Sequence, residues 1–279
     1  MARVIAIASQ KGGVGKTTTA INLSACLAQE SRHVLMIDLD PQANGTSGLG
    51  VNGNSQDHSI YELLIGTAEP DECVVPTALS SLDLLPSAQK LSGAEIELVG
   101  MMARESRLKT ALAPLRDKYD YIVLDCQPSL GILTVNALTA ADSVLIPLQC
   151  EYLALEGLTS LLSAIRLVQD HLNPGLRIEG VLLTMYDARL NLSRQVAADA
   201  REYFGVQVYE TVIPRNIRLA EAPSFGKPII VYDVASVGAQ SYMSVAKELL
   251  TRNGSIATDL TDERRSPIPP ELANQGSNS

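Results

Sequence analysis

The apolar run Val4–Ala8 leads almost directly into Lys11-Gly12-Gly13-Val14-Gly15-Lys16-Thr17-Thr18, where a helical pattern begins. A strand that breaks into a glycine-rich loop and continues as a helix is compatible with few folds. Gly15-Lys16-Thr17 closes the phosphate-binding pattern G-x-x-x-x-G-K-[ST]. Glycines at 12, 13 and 15 let backbone N–H groups turn inward around an anion with no Cβ in the way. The N-terminus of the next helix adds its partial positive charge to the same spot. Lys16 is suited to neutralising phosphate oxygens, and the Thr17 hydroxyl to ligating Mg²⁺. The opening glycine of the pattern is missing, however. Gln10 stands there, and a second lysine, Lys11, sits at the mouth of the loop.

Beyond the loop, short β-rich runs alternate with helical patterns. Strands are predicted at Val4–Ala8, Val34–Ile37, Leu82–Leu85, Tyr121–Leu124, Ser143–Pro147 and Ile178–Thr184, with a weaker one at Ile229–Tyr232. Most are continuous apolar runs, as parallel strands buried on both faces require. Helices are predicted at Lys16–Gln29, Ile60–Leu64, Ala94–Leu115, Leu130–Ala140, Leu155–His171, Leu192–Phe204 and Val237–Leu250. In the third, Ile96, Val99, Leu108, Leu112 and Leu115 suggest one buried face. This alternation implies an α/β fold, a doubly wound and mainly parallel sheet flanked by helices, with ligands at the carboxyl ends of the strands. One domain is expected over residues 1–252. The tail 253–279 is polar and Pro-rich and is expected to stay disordered.

Two stretches place carboxylates at strand ends. IDLDPQANGT sets Asp38 and Asp40 just past the second strand, and YIVLDCQPSLG sets Asp125 at the end of four apolar residues. An aspartate ending a buried strand is costly unless it is paired or faces a cation. Mg²⁺ held at the neighbouring loop makes Asp125 a natural indirect metal partner. Asp40 is suited to orienting or deprotonating a water. Asp38 reads equally well as a turn cap or as part of the site.

Apolar content of 46% with 19% charged residues is that of a soluble globule. No apolar stretch approaches the roughly 18 residues that a membrane span needs, and the N-terminus enters a strand without a signal-peptide pattern. Cys26, Cys73, Cys126 and Cys150 are far apart in apolar segments, which points to a reducing compartment and against a metal cluster. His33, His58 and His171 lack partners at ligand spacing. The net charge of −9 argues against a nucleic-acid partner. Yet residues 160–252 hold 10 Lys/Arg against 9 Asp/Glu, so the later part of the chain could still present a basic face.

The stretches QKGGVGKTTTAINL, IDLDPQAN, YIVLDCQPSLGILTVNAL, IPLQCEYLALEGL and IPRNIRLAEAPSFGKPI resemble, in order, the ParA/Soj chromosome-partitioning ATPases of the ParA/MinD superfamily. The likeness runs from about residue 3 to 250. In this family the deviant Walker A loop reads K-G-G-x-G-K-[ST], and its first lysine reaches across an ATP-sandwich homodimer to the partner's phosphates. The resemblance implies ATP and Mg²⁺ as cofactors and slow, stimulated ATP hydrolysis. It assigns Lys11, Lys16 and Asp40 to catalysis, Lys11 through Thr18 to the nucleotide, and Thr17, Asp40 and Asp125 to the metal. Pro214, Arg215 and Asn216 would hold the adenine edge, with Met185 near the base. Non-specific DNA binding would use Arg189 and Arg218, neighboured by Arg194, Arg201, Arg215 and Lys227. It further implies a ParB/Spo0J-type centromere-binding partner, an effect on replication initiation, and a cytoplasmic, nucleoid-associated protein with no membrane contact. Two departures stand out. The first switch reads Ala43-Asn44-Gly45 where Gly-Asn-Ala is usual, and Gln127 replaces a common proline in the second.

Three rivals are weaker. A MinD-like membrane ATPase needs a basic amphipathic C-terminal helix, which the acidic tail with Pro267, Pro269 and Pro270 precludes, while another cargo-positioning ATPase of the same superfamily stays an alternative. An iron–sulfur scaffold ATPase needs clustered cysteines. A metabolic kinase or amide ligase needs an acceptor pocket that no motif marks.

Overall fold

The computed structural model describes residues 1–151 and 156–258. In chain order, β1 (Arg3–Ile7), α1 (Lys16–Gln29), β2 (Val34–Leu39), α2 (Asn44–Gly48), α3 (Ile60–Ile65) and α4 (Pro70–Cys73) come first. They are followed by β3 (Val75–Pro76), β4 (Leu82–Leu85), α5 (Leu91–Glu97), α6 (Arg107–Leu112), β5 (Tyr121–Cys126) and α7 (Ile132–Ala140). The remainder is β6 (Ser143–Gln149), α8 (Glu156–His171), β7 (Arg177–Thr184), α9 (Asn191–Phe204), α10 (Ile217–Glu221), α11 (Ile229–Tyr232) and α12 (Val237–Thr258).

The seven strands form one sheet in the order β3-β4-β2-β5-β1-β6-β7. Every pairing is parallel except β3 with β4. Strand alternation sends side chains to two cores. Val4, Ala6, Ala8, Leu35 and Ile37 pack on one side of the sheet, and Ile5, Ile7, Val34 and Met36 on the other. Because both faces are covered, the strands read as unbroken apolar runs, and the expected doubly wound architecture is the one found.

Three expectations need correction. Ile229–Tyr232 is a helical turn, not a strand: Pro228, with φ −59°, precedes it, and the Ile229 amide donates to Asn22 Oδ1 at 2.7 Å rather than to a ladder. Ala94–Leu115 is not one helix. It breaks into α5, α6 and three 3-10 turns, with Ala103 left-handed at φ 52°. Leu108, Leu112 and Leu115 are buried, but Ile96 is 79% and Val99 61% exposed, so the segment has no single buried face. β3 went unforeseen, since two residues carry no periodicity; Pro76, which has no N–H to give, suits a sheet edge.

The boundary expected after residue 252 falls inside α12. Arg252 anchors that part of the helix, donating to the Val206 and Val208 carbonyls and to Glu248 and lying over the Tyr209 ring. Residues 152–155 and 259–279, including most of the expected tail, lie outside the described residues. Among the described residues no helix is long and apolar enough to cross a membrane.

α12 packs on α1, and the contact includes a buried hydrogen bond of 3.1 Å between Thr19 Oγ1 and Tyr242 Oη. Tyr242→Phe leaves the Thr19 hydroxyl without that partner and is expected to cost about 1 kcal/mol. Urea unfolding should show a lower midpoint with an unchanged slope.

Candidate nucleotide site

The loop between β1 and α1 takes the shape its glycines permit. Gly13 and Gly15 are left-handed, at φ 75° and 89°. Val14 is buried, and its carbonyl accepts from Thr184 Oγ1 of β7 at 2.9 Å, which pins the loop from a strand on the other side of β6. Lys16 is only 7% exposed, and its ammonium donates to the Lys11 carbonyl at 3.0 Å. Burial lowers its pKa, opposed by the nearby Asp125, Cys126 and Asp40. Lys11 is half-buried at the mouth of the loop, and its ammonium has no hydrogen-bond or ion-pair partner among the described residues.

Sheet register sets the carboxylates. Ile7 aligns with Asp125 and Asp125 with Asp38, so the two aspartates lie side by side on neighbouring strands, both fully buried. Asp38 is well supplied with donors: the amides of Asp40 (3.1 Å) and Thr46 (2.7 Å), and the Thr46 hydroxyl (2.8 Å). Desolvation nevertheless raises its pKa to about 6. Among the described residues neither oxygen of Asp125 has a hydrogen-bond partner of normal geometry. Burial, then the neighbouring Asp38, push its pKa well above the ordinary range, while Thr17 and Lys16 pull the other way. A fully buried carboxylate with open lone pairs beside a threonine hydroxyl and a lysine fits a divalent cation. Asp40, half-buried on the loop after β2, accepts from the Gln42 amide at 3.0 Å.

A cleft of about 380 Å³ opens beside the loop, lined by Thr18, Met185, Pro214, Arg215 and Asn216. All the residues expected around the base therefore meet in one place. Met185 is left-handed at φ 51°, held where the Tyr186 amide donates to the Ile213 carbonyl at 3.0 Å. Leu219 and Tyr242 also line this cleft and were not anticipated. Tyr242 lies inside the helix expected over Val237–Leu250, and Leu219 in α10, a five-residue helix too short to carry a periodic signal.

The model of the AAA domain matches residues 2–178. The sporulation initiation inhibitor protein Soj of Bacillus subtilis is 56% identical over 249 residues, 89% of this chain and 98% of that protein. The chain belongs to the ParA/Soj family. The chromosome partitioning protein ParA of Myxococcus xanthus is 55% identical, over 90% of this chain and 89% of its own length. Among solved structures, a Mycobacterium smegmatis cobyrinic acid a,c-diamide synthase with bound ADP and magnesium superposes with a TM-score of 0.81 at 39% identity, over 96% of this chain and 100% of that one.

The two departures from the usual ParA/Soj pattern have structural counterparts. Ala43 takes a left-handed conformation, φ 53°, where the usual glycine would be unstrained. Gly45 lies against both aspartates. A Cβ there would fall 2.8 Å from Met36 Cε, 3.0 Å from Asp38 Oδ2 and 3.1 Å from Asp125 Oδ2, so the Met36 methyl fills the space an alanine would take. Gln127 donates to Glu95 Oε1 at 2.8 Å and so ties the second switch to α5, a bond that proline could not make. Arg189 and Arg218, the arginines expected to meet DNA, are both ion-paired. Arg189 grips Asp187 through Nε and Nη2, and Arg218 binds Glu221 at 2.9 Å. Arg215 binds Glu151 and Arg194 binds Asn191, while Arg201 and Lys227 are exposed.

A raised carboxyl pKa stabilises the fold in its protonated form. That contribution is complete below about pH 4 and is lost as pH climbs through about 6 for Asp38 and through the raised pKa of Asp125. In chelator, Asp125→Asn should therefore be more stable than wild type near pH 7.5, by about 1–3 kcal/mol. The gap should narrow toward pH 5, and thermal melts at the two pH values check this. A pH-independent gap would show that Asp125 stays charged in the unliganded fold.

Proposed function

We propose that the chain is a Mg²⁺-dependent ATPase that pairs face to face on ATP and binds DNA non-specifically in that state. It serves chromosome or plasmid partitioning, in the cytoplasm and on the nucleoid. A ParB-type partner and DNA accelerate an intrinsically slow hydrolysis, and the protein also influences replication initiation.

The observation that carries this reading is the division of labour between two lysines in one loop. Lys16 is buried and folds back onto its own loop, suited to the phosphates of its own nucleotide. Lys11, with no partner for its ammonium among the described residues, is free to meet the phosphates held by a facing copy. Nucleotide then becomes part of the interface, and its charge offsets repulsion between the two faces.

Within the site, loop amides and Lys16 would cradle the phosphates, and Thr17, Asp40 and Asp125 would hold the metal. Mg²⁺ supplies neutralisation of charge on the β- and γ-phosphates. Asp40 orients the attacking water. Met185, Pro214, Arg215 and Asn216 bound the base.

Arg189 and Arg218 must leave their carboxylate partners to take up DNA phosphates, so each contact is weak singly. Pairing of two chains doubles the contacts and steepens the salt dependence. The name of the cobyrinic acid synthase favours a second reading, an amide ligase. ATP turnover stimulated by DNA with no carboxylic acceptor present would separate the two.

Sedimentation with ATP is expected to show wild type shifting toward dimer, Asp40→Ala accumulating as a stable dimer and Lys11→Ala staying monomeric. Normal pairing of Lys11→Ala would sink the cross-subunit role. Arg189→Ala and Arg218→Ala should each weaken DNA binding across all sequences and reduce the slope of log K against log salt by about 1 for every DNA phosphate no longer neutralised; filter binding over a salt series reads this.

A further inference from the structure

Asp38, Thr46 and Ser87 are each 0% exposed, and they close a ring of hydrogen bonds around one residue of the first switch. Asp38 Oδ1 accepts the Asp40 amide at 3.1 Å. Asp38 Oδ2 accepts both the amide and the hydroxyl of Thr46, at 2.7 and 2.8 Å. The Thr46 hydroxyl oxygen in turn accepts the Ser87 amide at 2.8 Å, and the Ser87 hydroxyl donates to the Asp40 carbonyl at 2.7 Å. The amide and the carbonyl of Asp40 are thus both held, from two different parts of the sheet: Asp38 is the next-to-last residue of β2 and Ser87 lies two residues beyond β4. The loop after α2 closes over the ring, since a Cβ on Gly53 would fall 1.8 Å from the Ser87 carbonyl oxygen.

We propose that Asp38, Thr46 and Ser87 are the positioning residues of the first switch, fixing the backbone of Asp40 so that its carboxylate faces the phosphate loop. This rests on the reading of Asp40 as the group that orients water. None of the three needs to touch nucleotide. Two of them, Asp38 and Thr46, flank Asp40 in sequence, whereas Ser87 reaches it only because β4 pairs with β2. A fully buried ring of polar groups has few other ways to satisfy its members, so it holds one geometry firmly. Small displacements of a positioning group lower the rate of chemistry far more than they lower substrate affinity.

The test compares Ser87→Ala, Thr46→Val, Thr46→Ser and Asp40→Ala in the full chain, by steady-state ATP hydrolysis, fluorescent ATP-analogue binding and thermal melting. We expect Ser87→Ala and Thr46→Val to lower kcat roughly 10-fold or more, while KM and analogue affinity stay within about 2-fold. Thr46→Ser, which keeps the hydroxyl, should recover most of kcat. The ring is refuted if both hydroxyl deletions hydrolyse like wild type while Asp40→Ala is inactive. Loss of analogue affinity in proportion to kcat refutes it too, because the residues would then be scaffold. Wild-type hydrolysis by Asp40→Ala would instead overturn the reading of Asp40, and the purpose of the ring with it. Should Thr46→Val melt below the assay temperature, Ser87→Ala carries the test, since it removes one hydroxyl and leaves the Ser87 amide bonded to Thr46.

Discussion

Two carboxylates buried side by side on neighbouring strands are the constraint around which this molecule is built. In water, Asp38 and Asp125 would be ordinary acids. Here sheet register puts them level with each other and the two cores shut out solvent. Like charges in such surroundings are tolerated only with donors or a cation. The chain answers the two cases differently. Asp38 receives three hydrogen bonds from its own switch and from α2, and among the described residues Asp125 receives none of normal geometry. The first acid is structural in its bonding. The second is left open toward Thr17 and Lys16, where a divalent ion would complete it.

The same arrangement ties both switch loops to the sheet and its helices. The loop after β2 is closed by bonds to Thr46 and Ser87, and the loop after β5 by Gln127 reaching Glu95 of α5. In both places the chain departs from the commoner family residues, and in both the departure adds or shifts a specific contact. Ala43 strains the entry to α2, Gly45 lets the Met36 methyl approach the acid pair, and Gln127 supplies a donor. These are differences in how firmly the switches are held rather than in which charged groups are present.

At the surface proposed to meet DNA, cations are matched by anions. Arg189, Arg218 and Arg215 each hold a carboxylate, and in every pair the guanidinium is well exposed to solvent. Such pairs contribute little stability, so exchanging a carboxylate for a phosphate costs little. A weak, salt-sensitive and sequence-blind interaction is what these pairs can offer. That is the character which the proposed pairing-dependent DNA binding requires.

The alternation of strands and helices, the phosphate loop and the acidic residues at strand ends were all legible in the chain, because local periodicity and glycine content carry those signals. The same signals misread Ile229–Tyr232 and Ala94–Leu115, where a proline, a left-handed alanine and side-chain acceptors overrode an apolar pattern. They left Asp38 with no settled role and Ser87 with none, although a polar residue just past a buried strand in a doubly wound sheet is a usable hint. It took the folded arrangement to set Asp38 level with Asp125, to bring Leu219 and Tyr242 to the cleft, and to carry Ser87 to Asp40. The physical reason is that these contacts join distant segments through strand order and register, and neither quantity has a local signature in the chain.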